Sequence, residues 1–303
     1  MLEFKKINMK IAIIGVGLIG GSFALALRRT YPKLRVLGID RDESALADAL
    51  RTGVIDEAVM PAALAAIADC DVIFIAVPVR QFPHVLAEIF PHIKPATVIT
   101  DAGSTKADVI TAARAALGNK ICQFVPGHPI AGREHAGVGA ATAELFEGKK
   151  VVLTPIAQNT PDAIERVGLL WRACGARVVE MSAVTHDAVF AAVSHLPHLL
   201  AFALVDELAA RPNAKTLFSF AASGFRDFTR IASSSPEMWK DIALNNRDAL
   251  LRELAAYEAR VVELRNALEA SNGAALEAMM ARAQLARDRW MAGELDGFRD
   301  EAM

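Results

Sequence analysis

Cysteine is scarce in this chain: three in 303 residues (Cys70, Cys122 and Cys174), scattered, in apolar contexts, and with no CxxC. That usage suggests neither a zinc site nor a disulfide framework and makes a reducing compartment, the cytoplasm, the expected location. An excess of charge of one sign is also missing. The 33 basic and 35 acidic residues leave a formal charge of −2, so no global field draws nucleic acid or an anionic membrane. No apolar run approaches the roughly 18 residues needed to span a bilayer, so no membrane partner is expected. Residues Met1–Asn8 lack the apolar core and cleavage site of a signal peptide. They are expected to be a short extension before a folded pattern that starts at Met9. What the chain does have is apolar bulk, 53% against 22% charged, enough for a packed core and, at this length, for two domains or one large domain with an appendage.

Short β-branched runs alternate with alanine- and leucine-rich segments over the first 181 residues. Strands are predicted at Lys10–Ile14, Arg35–Ile39, Val72–Val77, Thr97–Thr100, Ile121–Val125, Lys150–Leu153 and Arg177–Glu180. Most are continuously apolar, as strands covered on both faces should be. Helices are predicted at Leu18–Arg29, Glu43–Arg51, Arg80–Ile89, Lys106–Leu117 and Pro161–Cys174. The alternation specifies an α/β domain over residues 1–181 with a doubly wound, mainly parallel sheet. From 182 to 303 the β signal vanishes and an all-helical domain is expected. Pro197 should kink a helix over Ala183–Ala210, and Ser233-Ser234-Ser235-Pro236 marks a loop and an N-cap. Leu250, Leu254, Tyr257, Val261, Leu264 and Leu268 then recur at steps of four and three. Such a seam suits a homodimer formed through the helical domain.

Gly15-Val16-Gly17-Leu18-Ile19-Gly20 follows the first strand and opens the first helix. In that position Gly15 permits the tight turn, Gly17 lets a pyrophosphate approach the backbone, and Gly20 permits close helix–strand packing. The helix N-terminus offers free N–H groups to the phosphate. Asp40 ends the second strand 20 residues beyond Gly20, where a carboxylate can accept both ribose hydroxyls. That favours NAD, while Arg41 beside it keeps NADP open by offering a partner to a 2′-phosphate. Val77 and Pro78 at the end of the Val72–Val77 strand and Asp101 after the Thr97–Thr100 strand lie at the same sheet edge. Ser104 is either the N-cap of the next helix or a group facing the nicotinamide side of the crevice.

A single imidazole, His128, sits in the loop Gly127-His128-Pro129-Ile130-Ala131-Gly132. It is expected just past the carboxyl end of the Ile121–Val125 strand, the edge where ligands bind in open α/β sheets. Histidine there is suited to proton transfer near neutral pH. His195 and His198 are three apart, which is not the spacing of two zinc ligands on one helix face, so no metal is expected.

Taken in order, Gly15–Gly20 with Asp40, Asp101–Lys106, Gly127–Gly132, Ser194-His195-Leu196-Pro197-His198 and Gly224–Arg230 make the chain resemble the prephenate/arogenate (cyclohexadienyl) dehydrogenase family over nearly its whole length. The resemblance implies an N-terminal Rossmann domain, a C-terminal helical dimerisation domain and NAD(P)-dependent oxidative decarboxylation of prephenate or arogenate in tyrosine biosynthesis. It also implies that His128 takes the proton of the ring 4-hydroxyl and that Ser104 orients that pair. Ser194 and His198 match substrate-side polar groups, and Arg230 matches an arginine holding a substrate carboxylate, in preference to Arg226. Glu134 matches a loop acid near that arginine, and Trp239 a wall of the substrate pocket. Arg133 and His135 depart from the pattern where the substrate side chain should lie, and so bear on the choice between a keto and an amino side chain. The chain end near residue 303 leaves no room for an added regulatory domain, so any tyrosine inhibition is expected at or near the active site.

Two other readings share parts of this plan. β-Hydroxyacid dehydrogenases and imine reductases place a catalytic lysine on the first long helix of the second domain, whereas Ala183–Ala210 contains no lysine. A dinucleotide-sensing dimer without turnover has no use for a converging set of Ser104, His128, Ser194, His198 and Arg230.

Overall fold

The structure, a computed structural model, describes residues 9–133 and 135–295. Six parallel strands form the main sheet: β1 (Lys10–Ile14), β2 (Arg35–Ile39), β3 (Glu57–Val59), β4 (Val72–Ile75), β5 (Val98–Asp101) and β6 (Phe124–Val125), in the order β3-β2-β1-β4-β5-β6. The order reverses between β1 and β4, so the carboxyl ends of those two strands border a crevice. Because side chains alternate along a strand, Ile11 and Ile13 of β1 enter one core and Ala12 and Ile14 the other. The first core receives α1 (Leu18–Thr30) and α5 (Pro161–Ala173). At its centre Trp171, wholly buried, meets Phe23, Phe74 and Phe146 with ring centroids 4.7, 5.5 and 5.2 Å away. The second core lies under α3 (Phe82–Ile89) and α4 (Ala107–Leu117). Helix α2 (Glu43–Arg51) begins with Asp42 accepting from the N–H groups of Ser44 and Ala45, as an N-cap should.

Two expectations change around the histidine loop. Ile121 and Gln123 belong to a 3₁₀ segment, Gly118–Gln123, and only Phe124–Val125 pairs with the sheet. His128 does lie just past the carboxyl end of β6, as expected, but not in a loop. It lies within β7 (Gly127–Pro129), which pairs antiparallel with β8 (Lys150–Leu153), and β8 pairs parallel with β9 (Arg177–Glu180) in a separate three-stranded sheet. The strand Glu57–Val59 carried no apolar run in the sequence and was not anticipated.

Beyond Ser182 the described residues are helical, as expected. Ser182 caps α6 (Ala183–Phe190) by accepting from the Thr185 N–H. Residues Ala191–His195 form a π turn before α7 (Leu196–Ala209). The irregularity ahead of Pro197 is thus an inserted π turn, which lets Pro197 occupy the first turn of a new helix where its missing N–H costs nothing. The whole stretch Ala183–Ala209 is long and apolar enough to cross a membrane, contrary to the expectation that no segment would be. It carries His186, Asp187 and His195 buried against protein partners, however, and length and composition alone are weak grounds for a span. Short helices α8 (Ala214–Ser219) and α9 (Ser223–Thr229) lead to α10 (Pro236–Asn245), capped by Ser235, then to α11 (Arg247–Glu269) and α12 (Gly273–Met291).

By internal contacts the chain forms two compact units, divided after Leu250. The first holds both sheets and α1–α10. The second holds the remainder of α11 with α12, the latter capped by Asn272. Tyr257, Val261 and Leu268 of the predicted seam are exposed.

Replacing Trp171 by alanine should cost about 3–5 kcal/mol by emptying the centre of the first core. Urea unfolding would measure it, and a loss below about 1 kcal/mol would show that the aromatic cluster does not hold α5 to the sheet.

Candidate active site

The glycine turn is built by close approaches. The Gly15 N–H donates to the Ile39 carbonyl at 2.9 Å, and its φ of +95° favours glycine. A Cβ on Gly15 would meet the Ala76 carbonyl oxygen at 2.5 Å and Val77 at 3.1 Å, so the end of β4 bears directly on the turn. A Cβ on Gly20 would meet the Gly15 oxygen at 2.1 Å, which backbone cannot yield. Gly17 differs, since a Cβ there touches no protein atom. Packing does not demand glycine at 17, whereas a pyrophosphate against the backbone would. Nor does α1 carry an acidic residue in its first turn or a side-chain cap, so its N–H groups are left for an anion. Leu18 and Ile19 are half-buried in that turn.

Asp40 anchors the turn from the other side. Its Oδ2 accepts from the Val16 N–H at 2.8 Å and its Oδ1 from the Asp42 N–H at 3.1 Å. With two bonds made, a half-buried carboxylate retains lone pairs for ribose hydroxyls. Arg41 is exposed beside it, Val77 is half-buried and Pro78 exposed. These residues fit a dinucleotide.

Asp101 has a different place from the one expected. It is wholly buried and ion-paired with the equally buried Lys106. Its Oδ2 also accepts from the Gly103 N–H at 2.8 Å and its Oδ1 from the Gly127 N–H at 2.9 Å. Lys106 in turn donates to the Gly127 carbonyl at 2.7 Å. The Asp101 carboxylate is therefore occupied inside the protein, tying the β5–α4 loop to the strand that bears His128. Ser104 is half-buried in that loop, and it is not the N-cap: α4 begins at Ala107. The capping carboxylate comes from α6, where Asp187 accepts from the Lys106 N–H through Oδ1 and the Ala107 N–H through Oδ2, both at 2.9 Å.

Asp187 also organises the histidines. His186 Nδ1 lies 2.8 Å from Asp187 Oδ1, and His186 Nε2 lies 2.8 Å from His128 Nδ1. Phe190 packs edge-on to His128 with centroids 5.0 Å apart, and its ring centroid is 4.5 Å from that of His186. Burial opposes the Asp187 charge. Bonds from His186 and from the Ala107 and Lys106 N–H groups outweigh it and hold its pKa below the ordinary value. The carboxylate accepts only, so His186 Nδ1 carries a hydrogen, its Nε2 accepts, and His128 Nδ1 donates. The lone pair of His128 is then on Nε2. Burial, with the charges of His186, Lys106 and His195, holds the His128 pKa well below 6.5, so the imidazole is unprotonated at neutral pH, with its Nε2 lone pair available to accept a proton.

The second set of polar residues is joined to the first. Asn246 donates to the Asp187 carbonyl at 2.8 Å and lies 3.0 Å from His195 Nδ1. His195 meets Trp239 edge-on at 6.0 Å, and Trp239 stacks on His198 at 3.7 Å and 19°. His198 Nδ1 donates to the Ser194 carbonyl at 2.8 Å. Arg230, exposed at the end of α9, is near enough for its charge to lower the His198 pKa, after burial as the main cause. The indole N–H of Trp239 is buried without a partner. Helix α10, which carries Trp239, docks on the turn after β4 through Arg80 and Asp241 at 3.6 Å. The structure thus joins His128, His198, Ser194 and Trp239 in one chain of contacts, with Arg230 close enough to act on His198 by its charge. Arg133 and His135 are exposed, and Glu134 lies outside the described residues. Sequence reasoning missed His186, Asp187, Lys106 and Asn246. His186-Asp187 at the start of the long helix was the one available signal, as polar side chains in an otherwise apolar segment.

The site defines a class: a dinucleotide-binding α/β fold whose basic imidazole is oriented by a helical segment. Comparison with known proteins narrows it. The family description "Prephenate dehydrogenase, nucleotide-binding domain" matches residues 23–180, and "Prephenate dehydrogenase, dimerization domain" matches residues 182–282. Prephenate dehydrogenase of Bacillus subtilis is 41% identical over 86% of this chain and 70% of its own length. Cyclohexadienyl dehydrogenase of Zymomonas mobilis is 37% identical over 91% of this chain and 94% of its own. The crystal structure of prephenate dehydrogenase from Aquifex aeolicus in complex with hydroxyphenyl propionate and NAD+ superposes with a TM-score of 0.85 at 35% identity, covering 93% of this chain and 98% of that one. The chain belongs to the prephenate dehydrogenase family. The first match begins at residue 23, so the glycine turn argues for a dinucleotide independently of it.

Two outcomes are expected. Gly17→Ala should leave the unfolding midpoint near wild type while weakening dinucleotide binding, whereas Gly20→Ala should destabilise the fold itself. Calorimetry with and without cofactor separates them, and equal destabilisation would remove the ligand argument for Gly17. Stability should also fall as pH drops from about 6.5 toward 4. His195, 1% exposed, has its pKa lowered to about 4, mainly by burial. Below 6.5 the unfolded chain therefore binds the proton that the folded chain refuses, a loss of about 3 kcal/mol from this group alone by pH 4. Urea midpoints that stay flat across that window would contradict it.

Proposed function

We propose that this chain is an NAD-dependent prephenate dehydrogenase, carrying out oxidative decarboxylation of prephenate to 4-hydroxyphenylpyruvate. The observation that carries the reading is His128, a neutral imidazole with its Nε2 lone pair unspent, in the same unit as a glycine turn fitted to a dinucleotide. Gly15, Gly17, Gly20, Asp40, Val77 and Pro78 would hold the cofactor, with Arg41 leaving NADP as a weaker alternative. When bound, the nicotinamide supplies the acceptor for a hydride from ring C4.

His128 takes the proton of the 4-hydroxyl at Nε2, and loss of CO2 from C1 completes the aromatic ring. Because aromatisation drives decarboxylation, the protein need only position the ring, accept one proton and bind two carboxylates. Arg230 suits one carboxylate through its planar fork. His198, Ser194 and the buried Trp239 N–H supply further polar contacts on the substrate side, and Ser104 orients the hydroxyl beside His128. Arg133 and Glu134, with His135, belong to the segment proposed to face the substrate side chain. A cyclohexadienyl relative at 37% identity supports a second reading in which arogenate is also a substrate.

We further propose a nucleotide-binding domain over 1–181 and a helical domain over 182–303 that forms a homodimer, with the enzyme in the cytoplasm. Family matches ending at 180 and starting at 182 support the two domains, and the exposed seam residues Tyr257, Val261 and Leu268 of α11 support the dimer.

NADH formation monitored with prephenate and arogenate, each with NAD and NADP, tests the reading; no turnover with any of the four pairs refutes it. His128→Asn should lower kcat by about 10²–10⁴, and intact turnover at neutral pH would dismiss the base. Asp40→Ala should erode the preference for NAD, and an unchanged ratio would reassign Asp40.

A further inference from the structure

The proton taken up by His128 has somewhere to go. Its Nδ1–H points along a 2.8 Å hydrogen bond to His186 Nε2, and His186 Nδ1 is 2.8 Å from Asp187 Oδ1. Among the described residues His128 itself touches no carboxylate; its ring neighbours are His186 and Phe190. A cation resting on His128 would therefore be buried against apolar and neutral groups, whereas one on His186 would be bonded to an anion. Asp187 is fixed in turn by two backbone N–H groups at the start of α4. It stays ionised throughout, because protonating it would forfeit those bonds.

Resting on the reading of His128 as the base, we infer that His128, His186 and Asp187 form a two-histidine proton relay in which His186 holds the proton taken from substrate. As the O–H bond of substrate breaks, an N–H bond forms at His128 Nε2. The Nδ1–H bond of His128 breaks as an N–H bond forms at His186 Nε2. The net result is a neutral His128 in the opposite tautomer and a cationic His186 facing the Asp187 carboxylate. One proton enters and one positive charge is stored one residue away from the reacting ring. His186 is thus a positioning and relay residue and does not itself touch substrate.

The surrounding charges favour this division. His186 is faced by Asp187 on its own helix, by His195 from the π turn that follows, by Asp101 at the end of β5, by Lys106 from the β5–α4 loop and by His128 from β7. The two carboxylates favour its cation, while burial and Lys106 oppose it. His128 is faced by His186, Lys106 and His195, all of which oppose its cation. Asn246 holds the Asp187 carbonyl, so the relay is braced from the helical side as well.

Nitrogen-15 NMR of the imidazoles in the full-length protein tests the relay without needing turnover. At neutral pH His128 should show a protonated Nδ1 and a bare Nε2, and on acidification His186 should become cationic before His128. The opposite tautomer at neutral pH, or His128 charging first, overturns the relay. Failure of the proposed function would appear separately, as absence of NADH formation by the unaltered enzyme.

In the active enzyme, His186→Gln keeps an acceptor for His128 but cannot be protonated. It should lower kcat about 10–100-fold, leave KM for prephenate within about threefold, and move the acid limb of the kcat/KM profile to lower pH. An acid limb that stays in place, whatever the drop in kcat, would reduce His186 to a structural role. Should that variant fold poorly, the NMR titration of the unaltered protein decides the matter.

Discussion

Much of the site depends on one carboxylate. Asp187 receives the first N–H groups of α4 and the Nδ1–H of His186, so it joins the helical segment to the sheet-bearing part and orients the imidazoles at once. A buried anion with no partners would cost several kcal/mol. With these bonds made, it becomes the point from which the positions of α4, α6 and His128 follow. The Lys106–Asp101 pair lies immediately beside it and clasps Gly127 by both its N–H and its carbonyl. The backbone on either side of Lys106 is thus held from two directions, by a carboxylate of α6 and by a carboxylate of β5.

This arrangement explains why a strand of only three residues can carry a reactive histidine. β7 pairs with β8 on one side, and on the other it is bonded through Gly127 to buried charge. A Cβ at Gly127 would already meet the Asp101 carbonyl at 3.0 Å, so β7 runs as near to β5 as glycine permits. His128 is thereby placed on rigid backbone with one ring nitrogen committed. A group held this way loses little entropy when it meets its substrate. The dinucleotide turn is fixed by the same means at the other end of the crevice, with Asp40 bridging the Val16 and Asp42 N–H groups.

Regions of repetitive pattern were legible from the residues alone. The continuous apolar runs of β1, β2 and β8 and the amphipathic spacing of α1, α2 and α5 are local properties, and their boundaries in the structure fall within a residue or two of the expected ones. Gly15 and Gly20 were legible too, because the steric need for glycine follows from a strand turning tightly into a helix. Less legible was Ile121–Val125, whose apolar composition suits a buried 3₁₀ turn as well as a strand. The cap reading of Ser104 stood open because serine in the sequence just before a helix commonly is one. That the cap comes instead from Asp187, 80 residues further on than Ala107, cannot be seen in any local window.

Residue order alone thus specified the parallel sheet, the glycine turn with its acidic partner and the candidacy of His128. Each depends on residue type and spacing along one short stretch of chain. What His128 is bonded to, and hence which of its nitrogens bears the free lone pair, follows from the packed interior instead. That interior also committed the Asp101 carboxylate to Lys106 and to the Gly103 and Gly127 N–H groups, and joined Trp239 and His198 to the histidine cluster through Asn246 and His195. Those outcomes turn on hydrogen bonds between residues tens of positions apart, in a buried setting where every polar group must find a partner. Such pairing is a property of the folded interior and leaves no periodic trace in the chain.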